Sequence, residues 1–486
     1  MTGESRQTGT RKMILFPAGL LSAAYFIGEY DLRGQEIPAY QAWGNILVFA
    51  ALALLIPPAV KRMARRGRIY CFLSRSEARN LLILAALAAV PRIAWGLAVP
   101  PRIESDYGLY VRMGRFYAEN NRPEIDNYLL TVAPNTVAYS VLTGLLMRLF
   151  GTTASTLVAF TEILHVCNIL LLYGTGRKAL SAPRAFAVAA LFALLPENVM
   201  YSNLPGIEAP AMFTLLSGLL LFLCGMERKP APGAALCCCG AAVLAFSACI
   251  RPNAYAVLIA AAAMLLREKE PVKRKSIRLL ALLAGAAVVI GAYQVFRGVL
   301  FGGEQPAGGL GWSLYEGLDL ENGGRWTEEK SRRCTEVISS LSPKEADAVF
   351  RKEGLERFAG YSLPEKLRMF LRKGGALWYE SRYAAFAMEG SRTINRWIRL
   401  ADFSWAACMA ALTGGMLYRR RNPVRNKAWK TAAPALAVIL LTTAWHSIGT
   451  SIGRYHYMLI PFVLLAAAAL MRNREEKTTK AKEAEE

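Results

Sequence analysis

The chain has 486 residues, 54% of them hydrophobic and only 19% charged, and a formal net charge of +22. Its apolar residues come in nearly continuous blocks of about 16–22, long enough to cross a hydrocarbon core roughly 30 Å thick, and they lack the 3.6-residue alternation of a helix with one wet face. A soluble multidomain protein is excluded. So is a nucleic-acid partner, because the basic residues gather at the ends of the apolar blocks and form no single binding face.

The first block, 13–28, follows Arg6, Arg11 and Lys12 and has no small-residue cleavage site before the polar stretch Glu29–Gln35, so it reads as a retained helix. Blocks at 41–60 and 80–99 follow, separated by the basic cluster Lys61–Arg66, which the positive-inside rule places in the cytoplasm. The third block then runs outward and delivers 100–135 to the external face. That stretch carries Glu104, Asp106, Arg112, Arg115, Glu119, Glu124 and Asp126 among Tyr107, Tyr110, Phe116 and Tyr117, a pattern suited to short helices at the interface. Further blocks lie at 136–151, 155–174, 185–204, 208–226, 232–250, 252–266 and 279–300. An even number of crossings must separate 135 from the Asn203–Glu208 turn if both are external, yet three blocks intervene. The 136–151 block is short and carries Arg148, so it is the candidate to enter without crossing.

The basic loop Arg267–Lys275 is inside, which makes 301–396 external. This insertion opens with glycine turns (Gly302-Gly303, Gly308-Gly309, Gly323-Gly324) and turns helical from about Ser342 to Arg382. Blocks at 397–417, 432–450 and 456–471 close the membrane part around the inside loop Tyr418–Lys430. The expected organisation is an N-terminal transmembrane module (1–300) with its external loop 100–135, an external loop domain (301–396), C-terminal transmembrane helices (397–472) and a cytoplasmic tail (473–486). The fold class is an all-α polytopic membrane protein of about 11–13 transmembrane helices with a mixed external insertion.

Nine cysteines offer no disulfide framework: Cys237, Cys238 and Cys239 are consecutive in an apolar block, and only Cys334 falls in the long polar region. Adjacent helical positions point about 100° apart, so the triple reads as small apolar filler and not as a metal site.

Ionisable residues at membrane depth are costly and mark function by default. Those weighed are Arg92, Asp106, Glu162, His165, Glu197, Glu208, Arg251, His446, Arg454 and His456. Asp106 stands just beyond an outward helix end, as a general base or as a cap for the helix beginning at Tyr107. Glu208 starts a helix after the Pro205-Gly206 break, where it either meets the positive helix end or faces Asp106 across a cavity. Arg251-Pro252-Asn253 interrupts an apolar run, and a buried arginine there needs a carboxylate or a phosphate. Arg454, with Tyr455, His456 and Tyr457, sits in an external turn suited to phosphate recognition or to an aromatic interfacial belt. Glu162 and His165 share a helix at i, i+3 and read as a polar pair; His446 is ambiguous. In the insertion, Trp312 and Trp326 stand among glycines and acids, either to stack on a sugar ring or to anchor the loop.

Four of these features, in order, resemble the GT-C superfamily of membrane glycosyltransferases, most closely the bacterial family 39, protein-mannosyltransferase-like type. They are Ser105-Asp106-Tyr107 with Tyr110 and Phe116-Tyr117-Ala118; Pro196, Tyr201-Ser202 and Glu208; Arg251-Pro252-Asn253; and Arg454-Tyr455 with Pro461. The chain departs from the family where Ser105 separates Glu104 from Asp106 and where Ala133-Pro134-Asn135 stands for a Pro-Pro start.

The resemblance implies a polyprenyl-phosphate sugar donor, an unidentified acceptor and inversion at the anomeric carbon. Asp106 and Glu208 would be catalytic. Glu104, Tyr107, Arg251, Asn253, Arg454, Tyr455, His456 and Trp326 would bind substrate. No metal ligands are assigned, and a divalent cation is left open as cofactor. Membrane lipids are the other expected partners, and the expected location is a bacterial plasma membrane with the site on the extracytoplasmic face. A transporter or flippase of a lipid-linked sugar, and a polysaccharide polymerase or ligase, are the competing readings.

Overall fold

The computed structural model describes residues 67–124, 127–300, 309–379, 392–421 and 427–471, with isolated positions between 47 and 58. The expected block at 13–28, most of 41–60, the Lys61–Arg66 cluster, Asp126 and the tail lie outside the described residues. Among the described residues every regular element is helical and there is no strand.

In chain order the elements are α1 (Gly67–Ser74), α2 (Glu77–Ala98), α3 (Ser105–Asn120), α4 (Asn127–Val132), α5 (Thr136–Phe150), α6 (Ala154–Arg177), α7 (Ala182–Leu194), α8 (Pro196–Met200), α9 (Glu208–Met226), α10 (Pro230–Ile250), α11 (Ala254–Arg267) and α12 (Val272–Leu300). The insertion supplies α13 (Leu310–Gly317), α14 (Glu328–Ser340), α15 (Pro343–Gly360) and α16 (Leu363–Tyr379). The last membrane elements are α17 (Arg392–Arg421), α18 (Lys427–Ile448), a 3₁₀ segment at Gly453–Leu459, and α19 (Ile460–Leu470).

Seven described helices are long and apolar enough to span a membrane, or eight if α7 and α8, bent by 57°, form one span. Three shorter apolar helices, Thr136–Phe150, Ala254–Arg267 and Ala432–Ile448, accompany them. With α5 only 15 residues long, about 22 Å at 1.5 Å per residue, it falls short of a full crossing. It packs instead on the interfacial helix α3, where Gly144 faces Tyr117 and Gly114 faces Thr143. That leaves α6 and the bent pair of α7 with the segment Pro196–Asn203 as the elements long and apolar enough to cross between 135 and 203, the even number that places both segments at one end of the bundle. Tyr139 Oη donates to the carbonyls of Pro205 (3.1 Å) and Gly206 (3.2 Å), and Asn203 Nδ2 to Val99 O (2.7 Å), so the two segments do meet there.

Close helix packing follows from small residues, the usual driver where lipid is as apolar as the side chains. A Cβ on Gly218 of α9 would lie 2.8 Å from the carbonyl oxygen of Gly240 on α10, so only glycine permits that approach. Cys237 is buried in this seam while Cys239 faces outward, as filler in a helix would. At the opposite end of the bundle from Asn203, polar residues close the helices with ion pairs: Arg177–Glu77 (2.8 Å), Lys178–Glu227 (2.7 Å) and Arg278–Glu270 (2.7 Å).

The insertion folds earlier along the chain than its composition suggested. Thr327 caps α14 through Lys330 N, and Ser342 with Glu345 forms a capping box at α15. Trp312, Tyr315, Cys334, Val337, Ala346 and Phe350 make a core of their own. Cys334 is a packing residue there, fully buried.

Candidate active site

Glu208 is the first residue of α9, where the positive helix end favours its charge, and Arg251 directly follows the last residue of α10, where the negative end favours its own. The two helices are antiparallel neighbours, so these groups face each other, and Arg251 Nη2 donates to Glu208 Oε1. From the 3₁₀ segment, Arg454 Nε donates to the same oxygen, while its Nη1 reaches Asp106 Oδ2 at 2.7 Å and its Nη2 reaches Tyr110 Oη at 3.2 Å. Two carboxylates and two guanidiniums thus converge from four separate parts of the chain. Burial works against the Arg251 charge, but Glu208 outweighs it and holds that guanidinium above its ordinary range. Burial also raises the Tyr110 phenol, with Arg454 pulling the other way, so Tyr110 takes part as a neutral hydroxyl.

The members differ in access. The side chains of Glu208 and Arg454 are each 2% exposed, whereas Asp106 is 41% exposed. Asp106 does not cap its helix: Glu104 holds the N-cap position, and Ser105 between them adopts φ +52°. A left-handed serine costs on the order of 1 kcal/mol, and this turn leaves Glu104 exposed while Asp106 reaches Arg454.

Aromatic rings line the centre. Tyr107 lies under Arg454 at 5.5 Å, and Tyr455 lies between Arg251, at 5.4 Å, and a stacked His446, at 4.6 Å. His446 also meets the Asn253 side-chain amide through Nε2 at 3.3 Å and donates from Nδ1 to Thr450 O at 2.7 Å, which leaves Nε2 to accept from that amide. Arg251 Nε is a buried donor with no hydrogen-bond partner among the described residues. It is well suited to an anionic oxygen.

Of the eight residues expected to bind substrate, Tyr107, Arg251, Asn253, Arg454 and Tyr455 surround the two acids, and three do not: Glu104 is exposed at the helix N-cap, away from the centre. His456 turns the other way, stacking on Trp405 at 4.5 Å, with Nε2 3.1 Å from the Glu197 carboxylate and Nδ1 2.8 Å from Leu377 O. Trp326 is 53% exposed on the insertion, beside a shallow cavity lined by Glu328, Ser331, Arg332 and Thr335 among others.

His165 takes its partners from other helices, Asn198 Oδ1 and Tyr457 Oη each at 3.1 Å, and not from Glu162. Arg92 is buried and donates to Ala88 O (2.7 Å) and Ala193 O (3.2 Å), closing the end of α7. Sequence reasoning named Tyr110 only as part of the α3 motif and gave it no role, and it did not single out Tyr139; the aromatic spacing of α3 was visible, but nothing local set which rings face inward.

Among the described residues no group of three or more His, Cys, Asp or Glu side chains converges as a metal site. The two acids here face guanidiniums, an arrangement that does not fit a divalent cation, and no step is routed through one.

Residues 135–299 match the family model for dolichyl-phosphate-mannose-protein mannosyltransferases. No curated protein matches the chain significantly. Among solved structures, the oligosaccharyltransferase AglB of Archaeoglobus fulgidus, in complex with an inhibitory peptide and a dolichol-phosphate, aligns at 14% identity and a TM-score of 0.48, over 84% of this chain and 51% of that one. The apo form of the Archaeoglobus fulgidus oligosaccharyltransferase aligns at 15% identity and a TM-score of 0.47, over 87% and 52%. The chain spans about half the length of these structures. The matched segment includes Glu208, Arg251 and Asn253 but neither Asp106 nor Arg454. Over residues 135–299 the chain is therefore similar to the dolichyl-phosphate-mannose-protein mannosyltransferases, and through them to the GT-C superfamily of membrane glycosyltransferases.

Proposed function

We propose that the chain transfers a sugar from a polyprenyl-phosphate carrier to an acceptor, with inversion, at the extracytoplasmic face of a bacterial plasma membrane. One observation carries the reading: a half-exposed acid, Asp106, is joined through Arg454 to a buried centre of two arginines sharing one carboxylate. Asp106 takes the proton of the acceptor as its nucleophilic atom bonds to the anomeric carbon. The bond from that carbon to the phosphate oxygen breaks, and polyprenyl phosphate leaves. Arg251 and Arg454 stabilise the charge that develops on the departing phosphate, with the orphan donor Arg251 Nε as its first contact and Asn253 beside it. Glu208 holds both guanidiniums in place, a positioning role in this scheme. Trp326 and its acidic neighbours offer a stacking surface to the acceptor or its sugar.

The family description of residues 135–299 supports a lipid-phosphate-linked donor. The orientation is supported by the basic residues 267–275, Lys178 and Arg228, which belong to the end of the bundle away from Asp106.

The test is to incubate purified protein in lipid with radiolabelled polyprenyl-phosphate sugars and measure release of polyprenyl phosphate, alongside Asp106→Asn. Release by the natural protein and none by the folded, inserted variant is the expected result. Turnover retained in Asp106→Asn removes that residue from the chemistry. No release with any donor transfers the weight to a transporter, to be tested by flux across a vesicle.

A further inference from the structure

Arg454 is carried on a loop that the external insertion holds from outside. Between α18 and the 3₁₀ segment, the chain at Ile448–Ile452 has few contacts of its own kind. Instead Lys373, fully buried near the middle of α16, donates from Nζ to Ile448 O (2.9 Å), Gly449 O (2.6 Å) and Gly317 O (2.6 Å). Thr450 donates from Oγ1 to Glu316 Oε2 at 2.7 Å and from its amide to Ser313 Oγ at 3.2 Å. Ser451 donates to Lys373 O at 2.8 Å, and its amide to Gly324 O at 3.3 Å. Gly317 and Gly449 meet backbone to backbone, an approach that a side chain at Gly317 would block. On its inner side the same loop is tied to the centre, because Thr450 O accepts from His446, which stacks on Tyr455.

We propose that Lys373 and Thr450 are positioning residues for Arg454: the insertion clamps the 448–452 loop and so sets where the guanidinium meets Asp106 and the leaving phosphate. The proposal rests on the transfer reading above and extends it to the insertion, which then supplies part of the catalytic geometry.

Three N–H donors on Lys373 satisfy three carbonyls, a task that its neutral amine, with two, cannot complete. Burial pulls this ammonium down to about 7, with the Glu316 carboxylate pulling it back up. The other charges around it are Asp319 and Lys330 from the insertion, and the imidazole of His446 faces it from α18. Glu316 is itself pushed up by burial, with Thr450 bonding to its charged form and Lys330 and Lys373 drawing it down. A released Lys373 would keep its proton to higher pH than the clamped one, so by linkage the clamped loop is favoured as pH rises through neutrality, even though the neutral amine serves only two of the three carbonyls.

Thr450→Val keeps the shape of the side chain and deletes its bond to Glu316, and Thr450→Ser keeps the hydroxyl. A misplacement of about 1 Å in a catalytic group costs on the order of a hundredfold. We expect Thr450→Val and Lys373→Met to lower kcat by about ten- to a hundredfold with the donor KM within about threefold, and Thr450→Ser to restore the natural rate. Hydrogen exchange of the 448–456 segment should lose protection in both impaired variants. In the natural protein, the same protection, corrected for intrinsic exchange, should rise as pH rises through neutrality, a limb absent from Lys373→Met.

Natural kcat and natural protection in folded Thr450→Val overturn the proposal, as does an effect confined to KM. If Lys373→Met fails to insert, Thr450→Val decides alone. Should the natural protein release no polyprenyl phosphate, the transfer reading fails, while the protection measurements still show whether the loop is clamped.

Discussion

The 3₁₀ segment Gly453–Leu459 feeds two polar centres, and the contrast between them is instructive. Arg454 enters one with Asp106, Glu208 and Arg251; His456, two residues on, enters the other with Glu197, Trp378 and Trp405. Both hold a carboxylate almost wholly buried, Glu208 at 2% and Glu197 at 3%. Only the first also presents an accessible acid, and its unpartnered donor belongs to a charged guanidinium, Arg251 Nε, where the second has the neutral indole Trp378 Nε1. In the second, His456 is fully buried, its imidazole is pressed on Trp405 with the rings only 4° from parallel, and both ring nitrogens face oxygen acceptors. A buried ionic group is thus not by itself a reacting one. On the transfer reading proposed above, the open centre is where a ligand would be met, and the closed one holds α8, α16 and α17 together.

The largest effect that sharpens this contrast is expected at Asp106. Asp106→Asn should cut donor turnover by about 10²–10⁴-fold with an unchanged melting temperature, measured in the release assay and by thermal unfolding in detergent. Glu208→Gln comes next. It removes the charge that two guanidiniums share and should destabilise the protein by about 3–5 kcal/mol, read as a lowered melting temperature and lost turnover together. His456→Phe tests the closed centre: it preserves the stack on Trp405 but strips Glu197 of its partner. A loss of roughly 1–3 kcal/mol of stability is expected, with turnover per folded molecule close to natural. A selective loss of turnover there would erase the distinction between the two centres. Smallest of all, Trp326→Ala should leave stability within about 0.5 kcal/mol and polyprenyl phosphate release unaltered, and should raise only the KM for an acceptor.

The all-helical membrane fold was legible because uninterrupted apolar blocks have few alternatives in a bilayer. The four charged members of the open centre were legible for a related reason: a charge at the end of a span is expensive, so Asp106, Glu208, Arg251 and Arg454 stood out against their surroundings. Which way each one points was not written locally. Arg454 and His456 are only two positions apart, and the tight winding of the 3₁₀ segment sends them to different centres. Arg454 and Asp106 are 348 positions apart, and no local pattern pairs them. The role of Lys373 was hidden too: in Arg372-Lys373-Gly374 it reads as one more solvated base, and its burial depends on the insertion folding down onto the 448–452 loop. The failure of α5 to cross was signalled only by its length and by Arg148.

The glycine seam between α9 and α10 has a further consequence. Glu208 opens one helix and Arg251 follows the other, so the backbone contact at Gly218 and Gly240 fixes the register of the two charges against each other. Inserting or deleting a single residue between either glycine and its charged end would turn that end by about 100° and shift it by about 1.5 Å, carrying the charge off its partner. The turn Glu227–Lys229 at the far end is held as well, by Lys178 on Glu227 and by Arg278 on the Arg228 carbonyl. Above the seam, a change in one helix would have to be matched in the other.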